Sequence, residues 1–135
     1  MSNVIMGLKG SGKTKKMIDS INEVLSTANG DVVCIEYGNK LTYDVNYRVR
    51  LVDSKEYGIA NSDMLKGLLS GLHAGNFDIT HVYIDNLYKT IGTDRANGEA
   101  FVAWCAAFAE ANNMNITITI SDDPALASEE MKKFL

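Results

Sequence analysis

The chain has 135 residues, 46% of them hydrophobic and 22% charged, a length and balance that suit one globular domain over residues 1–135 and exclude a disordered chain. Thirteen Lys and Arg stand against 17 Asp and Glu, a formal net charge of −4, so there is no strong nucleic-acid signal of the kind a general basic field would give. No apolar run approaches membrane-spanning length and the apolar N-terminal segment is far too short for a signal peptide, so a cytoplasmic protein without a membrane partner is expected.

Asn3 to Met6 reads as the first strand. Gly7 to Thr14 follows as Gly-Leu-Lys-Gly-Ser-Gly-Lys-Thr, the full G-x-x-x-x-G-K-[ST] pattern. Its glycines let the backbone fold tightly around an anion, and the next helix contributes the positive end of its dipole. That helix runs from about Lys13, with Met17, Ile18, Ile21, Val24, Leu25 and Ala28 at helical spacing and Gly30 as its left-handed cap. Val32 to Ile35 is a continuous apolar run, a strand buried on both faces. Tyr37 to Asp44 reads as a mobile polar loop, and Arg48 to Val52 as a short edge strand.

A second helix is expected from a Ser62-Asp63 cap, with Met64, Leu65, Leu68, Leu69 and Leu72 as its buried stripe. His81 to Asp85 is a buried strand ending in an acid, and Tyr88 to Gly92 a switch or partner loop. Gly98 to Asn112 reads as a helix burying Phe101, Val102, Cys105, Phe108 and Ala109. Ile116 to Ile120 is the clearest strand by β-branched content, and Asp123-Pro124 opens a last helix. The order β-α-β-β-α-β-α-β-α predicts an α/β fold with a mainly parallel five-stranded sheet between helical layers.

Chemistry concentrates in few residues. Lys13 is placed to reach β- and γ-phosphates and Thr14 to ligate Mg²⁺. The strand-ending Asp85 resembles the Mg²⁺-holding acid of a Walker B motif, against the alternative of an acid that caps a turn. The residue after it is Asn86, and an amide cannot accept a proton as a carboxylate does. Glu36, ending the second strand, is the candidate base, against the alternative of an exposed acid opening the polar loop. Ser121 or Asp122 could simply cap the last helix; a γ-phosphate sensor at that strand tip is what a resemblance to P-loop NTPases implies for them. Lys9 lies within the loop and Lys15 at the helix start. Tyr37 or Tyr43 could stack on a base. Arg48, Arg50 and Arg95 are the only arginines, few for clamping a phosphoryl group. Cys34 and Cys105 read as reduced core thiols without metal-ligand spacing.

The Gly7–Thr14 pattern and the Asp85 strand together resemble the Walker A and Walker B motifs of the P-loop NTPase superfamily, on its recombinase-like side, which has an additional strand. The resemblance implies a three-layer domain with strand order 3-2-4-5-1. It also implies a nucleotide site over Gly7, Leu8, Lys9, Gly10, Ser11, Gly12, Lys13, Thr14 and Lys15, with Thr14 and Asp85 on Mg²⁺. Lys13, Glu36 and Ser121 would take catalytic roles. Many hydrolytic relatives carry Glu after the Asp, where this chain has Asn86; in recombinase-like members a glutamate near the tip of the neighbouring strand serves, as Glu36 would. Lys9 is one position off the signature lysine of the deviant Walker A family. The element order has some likeness to type II thymidine kinases, without their zinc cysteines. The chain also looks like short bacterial ATP-binding proteins sometimes labelled twitching motility, but lacks the length and the His and Asp boxes of a pilus motor.

Three functions stay open: a slow or partner-stimulated ATPase or switch, a small-molecule kinase, and a nucleotide-binding module that does not hydrolyse. ATP is preferred because Asn39-Lys40 is followed by Leu41-Thr42, not by a guanine-reading Asp. A protein partner and a homo-oligomer are both left open.

Overall fold

The computed structural model describes residues 2–27 and 29–135. Five parallel strands form one sheet: β1 (Ser2–Gly7), β2 (Asp31–Glu36), β3 (Arg50–Asp53), β4 (Ile79–Ile84) and β5 (Asn115–Ser121). The order across it is β1-β5-β4-β2-β3. Five α-helices accompany them: α1 (Lys13–Thr27), α2 (Ser62–Gly75), α3 (Leu87–Ile91), α4 (Arg95–Ala111) and α5 (Glu129–Lys132).

Side chains of successive strand residues point to opposite faces, and two apolar clusters result. Val33, Ile35, Val82, Ile84 and Ile116, Ile118 and Ile120 join one cluster with Leu65 and Leu69 of α2, Leu87 of α3 and Phe101 and Cys105 of α4. Val32, Cys34 and Tyr83 point the other way and meet Met17 and Ile21 of α1. The chain travels one way across the sheet from β1 to β2 and back from β3 to β4 and β5. A single crossover hand then requires α1 on one face and α2 and α4 on the other. All strands being parallel, Gly7, Glu36, Ile84 and Ser121 end at the same edge.

Several elements differ from their sequence reading. Gly30 is not left-handed; it is small because a Cβ there would run into Thr80. Ala28, read as part of the first helix stripe, lies outside the described residues. The cap of α2 is Asn61, whose side chain accepts from the Met64 N–H at 2.9 Å; Ser62 instead donates to Asn97. Met64 is exposed, while Leu65 and Leu69 carry the stripe. The polar stretch after β2 is tied down: Leu41, Val45 and Val49, four apart, all bury in the α1-side cluster. Tyr88 to Gly92, read as a loop, is mostly α3, and its Leu87, Tyr88, Thr90 and Ile91 are all buried. The Asp123-Pro124 helix is one 3₁₀ turn followed, from Ser128, by α5.

Candidate functional site

The Gly7–Thr14 turn takes its shape from three glycines with different jobs. Gly10 and Gly12 both have φ of +85°, a left-handed conformation that an L side chain resists by about 1–2 kcal/mol. Gly7 has no room for a Cβ, which would run into Ser11. The Leu8 carbonyl closes the turn, accepting from the Ser11 N–H at 3.1 Å and from Lys13 Nζ at 3.1 Å. The first intrahelical bond of α1 runs from the Lys16 N–H to the Gly12 carbonyl. N–H groups of the preceding helical residues have no partner within the helix, as at every helix start.

Next to this turn lies a cavity of about 380 Å³. Lys9, Gly10, Gly12, Lys13, Thr14 and Lys15 form one side. Asp85, Asn86, Thr119 and Ser121 form the other. The sheet order explains the meeting, because β5 lies between β1 and β4 and the carboxyl ends of all three open here. Thr14 Oγ1 donates to Asp85 Oδ1 at 3.4 Å. Thr119 Oγ1 donates to the same oxygen at 2.6 Å and accepts from the Asn86 N–H at 2.7 Å. Asp85 is thus buried, with its carboxylate held by Thr14 from helix α1 and by Thr119 from strand β5.

Asn86 itself has φ 55° and ψ 62° and stands just before α3 without a side-chain cap bond. Asn tolerates this left-handed conformation better than Glu does. The chain must turn sharply here to bury Leu87 directly after the strand, which accounts for an amide at this position.

Of the residues singled out from sequence, Lys9, Gly10, Gly12, Lys13, Thr14, Lys15, Asp85 and Ser121 come together around one cavity. Gly7, Leu8 and Ser11 shape the turn without lining it. Glu36 stands apart. It is 7% exposed, and its two carboxylate oxygens accept from the Lys40 N–H at 2.9 Å and the Leu41 N–H at 3.1 Å. It anchors the turn after β2 and does not line the cavity. Tyr37 and Tyr43 lie outside the cavity as well, and Tyr43 is fully in solvent.

Arg95 is engaged with Asp122, Nε at 2.8 Å and Nη2 at 3.0 Å. This bond raises the guanidinium and holds the Asp122 carboxyl below the usual range. The Asp122 N–H donates to the Gly7 carbonyl, so the pair steadies the joined ends of β1 and β5. Burial, reinforced by the Asp85 and Glu36 charges, pushes the Cys34 thiol up to about 12. Burial likewise raises Cys105. Neither thiol is a nucleophile near neutral pH.

Thr119, which lines the cavity and holds Asp85, was passed over in the sequence reading. Its signal was the alternation of Ile116, Ile118 and Ile120 with Thr117 and Thr119, which puts both hydroxyls on the face opposite the isoleucines. Comparison with known proteins gives no match, either to a family model or to a curated sequence. No helix of the described residues is long and apolar enough to cross a membrane.

Proposed function

We propose that the chain is a cytoplasmic, Mg²⁺-dependent ATP-binding protein of the P-loop NTPase type, a three-layer domain that works as a switch or as a slow, partner-stimulated ATPase. One observation carries this reading: the Thr14 hydroxyl and the Asp85 carboxylate, 71 residues apart, meet at 3.4 Å beside a turn built from two left-handed glycines. A hydroxyl and a carboxylate are the hard oxygen donors Mg²⁺ takes, and Mg²⁺ leaves its remaining positions to water and phosphate. The sheet order supports the reading too: β1-β5-β4-β2-β3, counted from the other edge, is 3-2-4-5-1.

On this account the first-turn N–H groups of α1 and Lys13 cradle the phosphates. Thr14 and Asp85 would hold Mg²⁺, which offsets the charge of the β- and γ-phosphates. Ser121, at the tip of β5, lies where a γ-phosphate can be sensed. No carboxylate other than Asp85 lines the cavity, and Asn86 can orient a water but not deprotonate it. Turnover without a partner is therefore slow. A kinase is the weaker alternative because Arg95, the only arginine between Asp85 and Ile116, is held by Asp122.

The test is phosphate release from Mg-ATP, with product analysis in the presence of nucleosides and small metabolites. Slow release of free phosphate, lost in Asp85→Asn, is expected. A phosphorylated acceptor would establish the kinase instead.

A further inference from the structure

A second cavity of about 380 Å³ opens at the same end of the sheet, on the other side of α3. Ligand pockets of small molecules begin near this size, about 300 Å³. Asn86, before α3, lines the first cavity, while Lys89, Thr90 and Gly92 from the far end of α3 line the second. The opposite wall comes from the turn after β3, with Lys55, Gly58, Ile59 and Ala60, and from Tyr37 after β2.

The walls are built in advance. Ser54 and Thr90 share a buried hydroxyl–hydroxyl bond at 3.0 Å, which ties the β3 turn to α3. The turn closes on itself through the Gly58 N–H to the Lys55 carbonyl and the Ile59 N–H to the Ser54 carbonyl. Gly58 and Gly92 hold φ of +67° and +95°, with open space where a Cβ would stand. Backbone and not side chain therefore faces the cavity at both points.

Charge gives the cavity its chemistry. Lys55 and Lys89 converge on it from separate elements, and neither has a carboxylate within 4.0 Å among the described residues. The lining holds these two lysines and no acid, while the neighbouring Asp53 carboxylate is engaged by the Gly38 and Lys55 N–H groups. Lys55 Nζ stands 5.9 Å from the centre of the Tyr37 ring, and Ile59 and Ala60 add apolar surface.

We propose that this cavity is a second ligand site, for a small organic anion whose phosphate or carboxylate meets Lys55 and Lys89 and whose ring or apolar part rests on Tyr37 and Ile59. It is independent of what occupies the first cavity. The probes are a nucleoside monophosphate, benzoate and inorganic phosphate, titrated into ¹⁵N-labelled protein. Saturable amide shifts at Gly58, Ile59, Lys89 and Gly92 are expected with at least one organic anion.

Lys55→Glu with Lys89→Glu should weaken that binding at least tenfold; Lys55→Gln with Lys89→Gln is the milder pair if charge reversal disturbs folding. Lys13→Ala should leave it unchanged. Because Lys13→Ala removes the first site, its result separates this proposal from the nucleotide reading. No shifts with either organic anion, shifts that survive both lysine pairs, or shifts lost in Lys13→Ala would overturn the site. Inorganic phosphate binding as tightly as the organic anions would overturn the ligand class.

Discussion

Two turns leave the same edge of the sheet, and they are built in opposite ways. The Gly7–Thr14 turn after β1 is open: Leu8 is 62% exposed, two glycines supply its left-handed bends, and its lysines face a cavity. The Asp85–Gly92 turn after β4 is closed: Leu87 is fully buried, Asn86 supplies the left-handed bend at its entry, and Thr119 fixes it from below. One turn borders an open cavity and the other holds Asp85 in place. The two stand side by side because β5 lies between β1 and β4.

Substitutions can break that contrast in graded steps. Leu87→Ala should lower stability by about 2–5 kcal/mol, the range for a buried leucine that leaves a cavity. Leu8→Ala, in the open turn, should stay within about 0.5 kcal/mol. Chemical denaturation of the two variants checks this, and similar losses would contradict the division between the turns.

Thr119→Val takes the partner from the Asn86 N–H and a donor from Asp85. A cost of about 1–3 kcal/mol is expected for polar groups left unsatisfied, together with weaker Mg²⁺ dependence of nucleotide binding. Smaller again is Asn86→Ala, at about 1 kcal/mol, with Asn86→Gly costing less because glycine accepts the left-handed bend. If alanine and glycine behave alike, backbone strain does not select Asn86.

The smallest expected effect is that of the buried thiols, and it shows only at high pH. The Cys34 thiol, raised from 9.0 to about 12, favours the native state while it stays protonated. That contribution is whole below pH 9 and is lost as pH rises toward 12, a trend for thermal melts across that range. Replacing Cys34 by Ala should flatten its share of the slope.

The two turns also differ in how far they could be read beforehand. The Gly7–Thr14 pattern is local: its glycines, Lys13 and Thr14 lie within eight residues, and geometry follows from residue type. Asp85 was legible as well, since a strand of His81 to Ile84 ending in an acid is a short-range signal. Residues α3 and Thr119 were not, because both depend on long-range packing. A five-residue helix in which every residue but Lys89 is buried is too short to show an amphipathic period, and Gly92 and Asn86 read as loop punctuation. Thr119 matters only because β5 threads between β1 and β4. Glu36 shows the reverse hazard: its place at a strand end suggested catalysis, whereas Lys40 and Leu41 N–H groups take both its oxygens. The i, i+4, i+8 spacing of Leu41, Val45 and Val49, passed over in reading a mobile loop, was the available signal that this stretch is anchored.

The most direct measurement is calorimetric titration of ATP, with and without Mg²⁺, into the natural chain and into Lys13→Ala. Mg²⁺-dependent binding to the natural chain is expected, with a loss on the order of 10²-fold or more in the variant, as follows when a charged hydrogen-bond donor to phosphate is removed. Equal affinity in the two proteins, or no binding by the natural chain, would contradict this expectation.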